Sequence, residues 1–500
     1  MKGIFLNVDI NTVTFPFLKT VCQKSCVTEE DLYPFIDQYK ETEITDVSVC
    51  VFNQISMTPS QAWSDVLDVY HRKTENGVAV DYTAIMDHYH QMYEVHGIDP
   101  HEVWFRRCRE VGITSWLSVR MNDCHCPDDV AVWIRGEEFY LSRDNGWNIG
   151  DAYGYQRYCF DYSQKEIRKR MLAYIEEQVT RYDTDGLELD FSREWYCFRE
   201  PNTSLARDIM TGFVRDVKAI LKKAELRWGH PLLLHLRAMR GIEENCAFGF
   251  DIPQMVNEGL LDSISVAPRW ASNDSDMPID KWKERFPSLP VYAGVTDLTL
   301  LAPTDAACAS GYAAAYLALG ADKIYLYNFF SNPYAPDPKH ERLYRTAGSL
   351  QTLVGTDRRI VVTYQDMHAE GLPTFVPLPA RANGYALSVP TGPFGAEETV
   401  SLVLGFDREI APNEVTLKVD GIPAAFVGKT AYSDAYAKGK NRTAGCDVVK
   451  ATYLFALAAP PKVSVPRVTL TADDEALSLS YLEFVIGASP EVTEAEGELL

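Results

Sequence analysis

Residues 118–125 (SVRMNDCH) place more polar side chains beside an apolar stretch than any other part of the sequence. Arg120, Asn122, Asp123 and His125 all lie within this segment. A carboxylate close to a histidine can hold the imidazole in one tautomer and raise its basicity. We therefore predict that His125 is a catalytic base oriented by Asp123, and that Asn122 contacts the substrate. The alternative is a loop histidine that only binds substrate or packs.

A second group of carboxylates lies in residues 184–196 (TDGLELDFSREWY). Glu188 and Asp190 alternate with Leu187 and Leu189, so in a strand both carboxylates point to the same side. Carboxylates in such positions serve as proton donors and nucleophiles, and they also serve as structural partners of interior arginines. Both interpretations stay open for Glu188. Asp190, nearer the end of the strand, is predicted to contact the substrate together with Glu188.

Arginines recur at the ends of several apolar runs, although the chain is strongly acidic. Its 48 basic and 70 acidic residues give a formal net charge of -22. Guanidinium groups bind carboxylates and phosphates bidentately, so arginines gathered at one mouth favour an anionic small substrate. The alternative is that each arginine balances a buried Asp or Glu at the same strand end. The arginines predicted to bind substrate are Arg120, Arg193, Arg237 and Arg269.

These side chains need a scaffold that brings strand ends together, and residues 1–338 predict one. Short β-rich apolar runs alternate there with amphipathic helical stretches such as 164–182 and 204–223, as in a parallel sheet wrapped by helices. Eight such runs predict a closed (β/α)₈ TIM barrel, an α/β fold whose working residues lie at the C-terminal ends of the strands. The predicted strands are 3–9, 46–52, 115–120, 186–191, 232–237, 263–268, 291–295 and 323–329.

The pattern changes after the barrel. A helical linker is predicted at 339–357, followed by alternating strands that predict a C-terminal β-sandwich domain at 358–487. Residues 488–500 are acidic and small, which favours a disordered tail. Within the barrel, the long insert at 121–163 follows the third strand, so we expect it on the catalytic face.

Composition restricts the partners and the compartment. A net charge of -22 disfavours nucleic acid and anionic membrane surfaces, because both require a basic footprint. No apolar run of about 18 residues occurs, and the opening MKGIFLNVD reaches Asp9 before a signal-peptide core could form, so a cytoplasmic protein is expected unless a leader was trimmed. The 11 cysteines predict reduced thiols. Cys124 and Cys126 flank His125 without paired zinc-ligand spacing, and neither a metal nor a cofactor is predicted.

At the segment 118–125 the sequence resembles glycoside hydrolase family 156, the inverting exo-sialidases with a (β/α)₈ barrel and a C-terminal β-sandwich. The resemblance rests on Asp9 closing the first strand, on the Arg120-x₄-His125 unit, on Asn328 ending the eighth strand, and on the domain order over nearly the whole chain. It implies that His125 activates the attacking water, that Asp9 protonates the leaving group, and that Arg120 and Asn328 hold the sugar. It further implies a sialylated glycan as substrate and a homodimer.

A histidine base also has a physical rationale. A sialoside carries its carboxylate on the anomeric carbon, so a carboxylate base at about 4 Å would be repelled by roughly 4 kcal/mol in a partly shielded site. A neutral imidazole at His125 avoids that repulsion. The acid on the opposite face must keep its proton near neutral pH, and desolvation at the end of a buried strand is expected to help Asp9 do so.

Two other functions are open on the sequence alone. A glycosidase could act on a neutral hexoside with two carboxylates drawn from Asp9, Glu188, Asp190 and Asp297. Alternatively, the barrel could have lost catalysis and serve as a carbohydrate-binding protein. The aromatic platforms of such a protein would be Trp147, Trp195 and Trp270.

Overall fold

The computed structural model describes residues 3–9, 18–75, 83–124, 136–268, 273–296, 305–329, 332–363, 372, 375–430 and 449–492. Eight parallel strands close into a barrel in chain order, and the eighth pairs with the first. The predicted fold class is therefore confirmed, with all eight strands in the predicted places. The strands are β1 (Ile4–Val8), β2 (Ile44–Phe52), β3 (Thr114–Arg120), β4 (Gly186–Asp190), β5 (Leu233–Met239), β6 (Ser263–Ala267), β7 (Val291–Thr296) and β8 (Lys323–Tyr327).

Helices connect the strands and pack against them from outside. The helix Ser204–Trp228 runs past its predicted end at 223 and is closed by Gly229, whose φ of 78° is the left-handed conformation that ends many helices. The α-helices are Pro34–Asp37, Val66–Glu75, Thr83–His90, Pro100–Val111, Glu137–Asp144, Lys165–Arg181, Ser204–Trp228, Ile242–Ala247, Ile252–Asn257, Ile279–Arg285, Ala306–Ala318, Pro338–Thr346 and Leu350–Leu353. Short 3₁₀ turns cover Glu29–Leu32 and Asp151–Gln156, and a π-helical turn covers Gln91–Val95.

The inner face of the barrel is polar, although strands of parallel sheets are usually apolar on both faces. Asn7, Ser48, Ser118 and Glu188 are all buried there and joined by hydrogen bonds. As predicted from the period of two, the leucines that alternate with Glu188 and Asp190 pack in the outer core between the strands and the helices. The apolar stabilisation of the barrel therefore comes mainly from its outer layer.

An aromatic layer fills the barrel toward the N-terminal ends of the strands. His235 stacks between Phe5 and Tyr292, with ring centroids 4.8 and 5.3 Å apart. Its two ring nitrogens meet the hydroxyl groups of Ser263 and Ser265 at 2.7 and 2.8 Å. Burial lowers the pKa of His235 to about 3. The imidazole is therefore neutral at physiological pH and belongs to the packed interior.

The C-terminal domain consists of two antiparallel sheets, as predicted for the β-sandwich. The larger sheet has the order β10-β18-β12-β16-β15 with β9 beside β18, and the smaller has the order β11-β17-β13-β14. The strands are β9 (Arg358–Val361), β10 (Ala380–Arg381), β11 (Ala386–Ser388), β12 (Val400–Phe406), β13 (Val415–Val419), β14 (Ile422–Pro423), β15 (Ala425–Lys429), β16 (Ala451–Ala456), β17 (Arg467–Ala472) and β18 (Ser478–Ile486).

The two domains meet where β9 crosses the alanine-rich helix Ala306–Ala318. A Cβ on Gly311 of this helix would lie 2.1 Å from the carbonyl oxygen of Arg359, so only glycine permits the approach. The Arg359 side chain contacts Asp305 at 2.9 Å and also pairs with Glu483. Backbone contact and charge pairing therefore join the barrel to the larger sheet.

After the barrel, the predicted helical linker contains two short helices. The first ends at Thr346, and Ser349 caps the second by accepting from the amide of Thr352. The predicted tail does not begin at 488, since Val492 pairs with Thr430 at the end of β15, and residues 493–500 lie outside the described part. In the described ranges, no helix combines the length and the apolar character needed to cross a bilayer.

Gly186 of β4 generates a stability prediction, because a Cβ there would lie 2.3 Å from the ring of Trp116 on β3. We expect Gly186→Ala to lower the free energy of unfolding by about 1 to 3 kcal/mol through overpacking. Gly212, inside the helix Ser204–Trp228, is the matched control because its Cβ would meet nothing closer than 3.9 Å. Gly212→Ala should raise that free energy by about 0.5 to 1 kcal/mol through helix propensity. Urea unfolding measures both, and equal effects would refute the packing argument.

Candidate active site

Arg120, at the C-terminal end of β3, bridges two carboxylates at the mouth of the barrel. Its Nη2 donates to Asp9 Oδ2 at 2.7 Å, and its Nη1 donates to Asp123 Oδ2 at 3.0 Å. Arg193 Nε lies 3.5 Å from the same oxygen of Asp123. Burial opposes the charged form of Arg120, but Asp9 and the other groups around it hold its pKa well above the ordinary value. The guanidinium therefore remains a cation inside the protein.

Asp190 and Arg237 form a second buried pair one strand further along the barrel. Arg237 Nη1 donates to both oxygens of Asp190, at 3.0 and 2.9 Å. The backbone amides of Ser192 and Arg193 each donate to Asp190 Oδ1 at 3.0 Å. The guanidinium carbon of Arg237 lies 3.8 Å from the centroid of Tyr327, a cation–π contact. Both predicted substrate ligands are therefore engaged within the protein.

Glu188 lies one layer deeper than Asp190 and has no exposed surface. Asn7 donates to it at 2.9 Å, and the hydroxyl groups of Ser48 and Tyr325 donate as well. Burial and the carboxylate of Asp190 raise the pKa of Glu188, and together they outweigh these three hydrogen bonds. Of the two interpretations left open by the sequence, the structure favours a structural Glu188, so its predicted contact with substrate is not supported.

Asn122 needs a similar correction. Its amide oxygen accepts from the backbone amide of Phe160 at 2.8 Å, and its amide nitrogen donates to the carbonyl of Tyr196 at 3.0 Å. This buried side chain therefore links the insert after β3 to the segment after β4, and no surface remains for a substrate. Of that insert, residues 121–124 and 136–163 are described.

Asn328 directly follows β8 and adopts a φ of 65°, which is uncommon for a residue other than glycine. Gln54, just after β2, shares this conformation with a φ of 67°. β8 and β2 are the two strands that pair with β1, and Asp9 directly follows β1. The amide oxygens of Asn328 and Gln54 are buried without a hydrogen-bond partner. Backbone strain at strand ends of this kind is typical of functional sites.

Four predicted residues, His125, Arg269, Trp270 and Asp297, lie outside the described residues. Trp147 is half-buried and packs against the main core. Trp195 is fully buried, and its indole nitrogen donates to Ser192 Oγ at 3.1 Å. The prediction of Trp195 as a platform for sugar stacking is therefore wrong.

Of the predicted arginines, Arg120, Arg193 and Arg237 are brought together with Asp9, Asp123 and Asp190. This arrangement agrees with the interpretation that each arginine balances a buried acid. The cluster nevertheless offers unused donors, because Nε of Arg120 and Nε of Arg237 are buried without a partner. An anionic group entering the mouth would find guanidinium groups that stay charged.

The sequence reasoning missed several residues that line the barrel interior beneath this site. Three of them lie two positions before a residue that was singled out, and therefore point the same way along their strands. Extending the period of two inward from the strand ends would have found them. They are Asn7, Ser118, His235 and Tyr325, with Tyr325 two positions before the equally unpredicted Tyr327.

Cysteine positions give no sign of a metal centre in the described ranges. No group of three or more His, Cys, Asp or Glu side chains is arranged there for a metal ion. Cys124 packs with Ile149 and Cys159 in a small buried cluster. Cys22 donates to the carbonyl of His88 at 3.8 Å. Cys126 lies outside the described residues.

No protein-family model matches this chain, and a search of curated proteins gives no match either. Solved structures resemble it at low identity. One is a glycoside hydrolase family 18 N-acetylglucosaminidase from Paenibacillus barengoltzii, with 14% identity, 59% of this chain and 68% of that chain covered, and a TM-score of 0.30. Another is the PgaB (BpsB) glycoside hydrolase domain from Bordetella bronchiseptica, with 10% identity, 70% and 99% covered, and a TM-score of 0.41.

A third similar structure is the catalytic domain of a GH30 xylanase C from Talaromyces cellulolyticus, with 10% identity, 98% and 97% covered, and a TM-score of 0.35. TM-scores this low identify neither a shared substrate nor shared catalytic residues. The function has to be argued from the chemistry of this site.

Glu188 leads to a pH prediction. The raised pKa of Glu188 means that the unfolded chain loses this proton at a lower pH than the folded protein, so ionisation opposes folding. As pH rises from the ordinary glutamate pKa of about 4.3 through the raised value, wild-type stability should fall relative to Glu188→Gln. The glutamine amide can donate to Tyr325, whose hydroxyl can accept. Urea unfolding at several pH values measures the difference, and a constant difference would contradict the assignment.

Proposed function

We propose that this protein is a glycoside hydrolase of acidic sugars, and that it releases a terminal α-linked sialic acid with inversion. The observation that carries this proposal is Arg120. Its buried guanidinium faces Asp9 at the mouth of the barrel and has donors suited to a carboxylate. A sialoside brings a carboxylate on its anomeric carbon, so recognition by Arg120 places the reacting bond directly beside Asp9.

The exposure of the side chains indicates the direction of approach. Asp9 has 15% of its side-chain surface exposed, whereas Arg120 and Asp123 have only 2% each. A ligand therefore reaches Asp9 first. In the proposed mechanism Asp9 protonates the departing oxygen, and Arg120 and Asn328 hold the sugar. Asn328 supports this role because its buried amide oxygen has no partner within the protein.

His125 is proposed to deliver the attacking water. It follows Cys124, which is anchored in the buried cluster with Ile149 and Cys159. Both arginines that contact Asp123 approach the same oxygen, Oδ2. In the proposal, the other oxygen of Asp123 orients the imidazole of His125. A neutral imidazole avoids the repulsion that a carboxylate base would meet beside the substrate carboxylate.

The alternative with two carboxylates acting on a neutral hexoside has less support. Asp297 lies outside the described residues. Among Asp9, Glu188 and Asp190, only Asp9 has appreciable exposed surface, and both oxygens of Asp190 are bound by Arg237. A purely binding barrel loses one of its three proposed aromatic platforms, because Trp195 is buried.

An aryl glycoside panel tests the substrate class. The intact protein should release phenol from an aryl α-sialoside and not from aryl α- or β-hexosides. The reason is that the proposed site binds the sugar through a carboxylate at Arg120, and these hexosides have none. Proton NMR of the same reaction should show β-sialic acid first, since a single displacement inverts the anomeric centre. Early α-anomer, or a covalent sugar adduct on a tyrosine or carboxylate, would refute the single displacement. Hydrolysis of neutral hexosides alone would support the two-carboxylate alternative.

Two variants separate the proposed roles of base and acid. His125→Ala should lower turnover of an activated aryl sialoside roughly a hundredfold or more, because water must be activated whatever the leaving group. Asp9→Asn should impair natural sialosides far more than aryl sialosides with good leaving groups. Steady-state kinetics on both substrate types measures this contrast. An equal loss on both substrates in Asp9→Asn would argue against Asp9 as the acid.

A further inference from the structure

One guanidinium serves two carboxylates of unequal exposure in this site. Arg120 Nη2 holds Asp9, whose side chain is partly exposed, and Arg120 Nη1 holds Asp123, which is buried. Asp123 also contacts Arg193, whereas Asp9 occupies the side that a ligand reaches first. The two carboxylates are therefore not equivalent: Asp9 is the one that an incoming anion can replace.

The geometry of arginine brings a ligand carboxylate into competition with Asp9. The five N–H donors of arginine form two bidentate edges, one from Nε and Nη2 and the other from Nη1 and Nη2. Each edge uses one of the two N–H groups of Nη2, the nitrogen that donates to Asp9 at 2.7 Å, so a ligand carboxylate on either edge lies beside the carboxylate of Asp9. Arg120 Nε is buried and has no partner, and withdrawal of Asp9 removes the competing negative charge from the Nε–Nη2 edge.

We propose that the carboxylate of the acidic sugar displaces Asp9 from Nη2 of Arg120, and that Asp9 takes up one proton from solvent as it is displaced. This inference rests on the proposed function, because it requires an anionic ligand in the site. In this proposal, Asp9 carries its proton only in the complex with the ligand. Before binding, the ion pair with Arg120 favours the ionised carboxylate.

Charge balance supports the uptake of a proton. Arg120 and Arg193 face three carboxyl groups, Asp9, Asp123 and Glu194, so the described cluster has no surplus of positive charge. A ligand carboxylate adds one negative charge to this buried site. Such a charge is costly in a low-dielectric interior unless a cation pairs with it or a proton neutralises it.

The buried thiol and phenol beside this space do not take up the proton. Cys50 on β2 and Tyr327 on β8 are buried, and burial raises the pKa of each to about 12, so both already carry their protons. Asp190 is bound by Arg237 and two backbone amides. Asp9 is the exposed carboxylate that loses its cation, and it lies where the proposed reaction needs an acid.

The proton then has a defined destination. When the glycosidic bond breaks, the electron pair stays on the departing oxygen, which takes the proton from Asp9. Water forms the new bond at the anomeric carbon, and His125 accepts a proton from that water and later returns it to solvent. Asp9 leaves this step as a carboxylate and can reclaim Nη2 of Arg120, which would help the acidic product to dissociate. Asp9 is therefore first the ion-pair partner of Arg120 and then the proton donor.

Calorimetric binding of the methyl α-thioglycoside of N-acetylneuraminic acid tests the exchange without turnover. Titrations of the intact protein in buffers of different ionisation enthalpy, from about pH 5.5 to about pH 8, should show uptake of close to one proton per ligand. By the same linkage, affinity should fall about tenfold per unit rise in pH. The matched control ligand is the carboxamide of the same thioglycoside, which is neutral and should cause no uptake.

Two variants identify the group that takes up the proton. Asp9→Asn should bind the thioglycoside without proton uptake, with an affinity independent of pH and roughly tenfold or more higher at about pH 8, because Nη2 is no longer held by a charge. Asp123→Asn should retain the uptake, since Asp9 remains. If Asp9→Asn fails to fold, infrared difference spectra of the wild-type protein replace it, and a protonated carboxyl band should appear on binding.

The outcomes separate the two proposals. Failure of the thioglycoside to bind at any pH would overturn the proposed function itself. Binding without proton uptake, or without the carboxyl band, would overturn the exchange and leave the substrate class standing. Uptake that persists in Asp9→Asn would also overturn the exchange, because the proton would then reside on another group.

Discussion

Charge compensation inside the barrel is the constraint on which the rest of this structure depends. A buried ion is tolerated only when a partner or a hydrogen-bond network balances it. At the ends of β3, β4 and β5, arginines and aspartates satisfy that condition together, and Arg120 connects Asp9 to Asp123. Removing one member of such a pair leaves an uncompensated charge, an effect of about 3 to 5 kcal/mol. The ion pairs therefore hold the arginines and aspartates in place until a ligand competes for them.

The same constraint explains how stability and chemistry share the barrel interior. The deepest layer is aromatic, contains a neutral histidine and holds the buried pair of Lys323 and Asp46. The middle layer surrounds Glu188 with hydroxyl and amide donors, and the outermost layer holds the ion pairs of Arg120 and Arg237. In the proposed function, recognition of an anion exchanges one partner of Arg120 for another, because Asp9 already occupies Nη2.

The fold could be predicted because β-rich and helical stretches alternate with barrel spacing, and because a period of two orients Glu188 and Asp190 inward. The pairing could not be predicted. Arg120 and Asp9 are 111 positions apart, and only the stagger of the closed barrel determines which acid each arginine meets. Trp195 has the residue type of a sugar platform, yet it is buried. Exposure depends on tertiary packing that no local pattern records.

Gly311 has a consequence for the history of the two domains. The helix that carries it belongs to the barrel, whereas the carbonyl that approaches it belongs to the first strand of the C-terminal sheet. Any side chain at this position would clash with that carbonyl and push the helix and the strand apart. The barrel and the β domain therefore cannot be recombined freely with counterparts from other proteins. In a chimera, the two surfaces would pack together only if both came from the same parent.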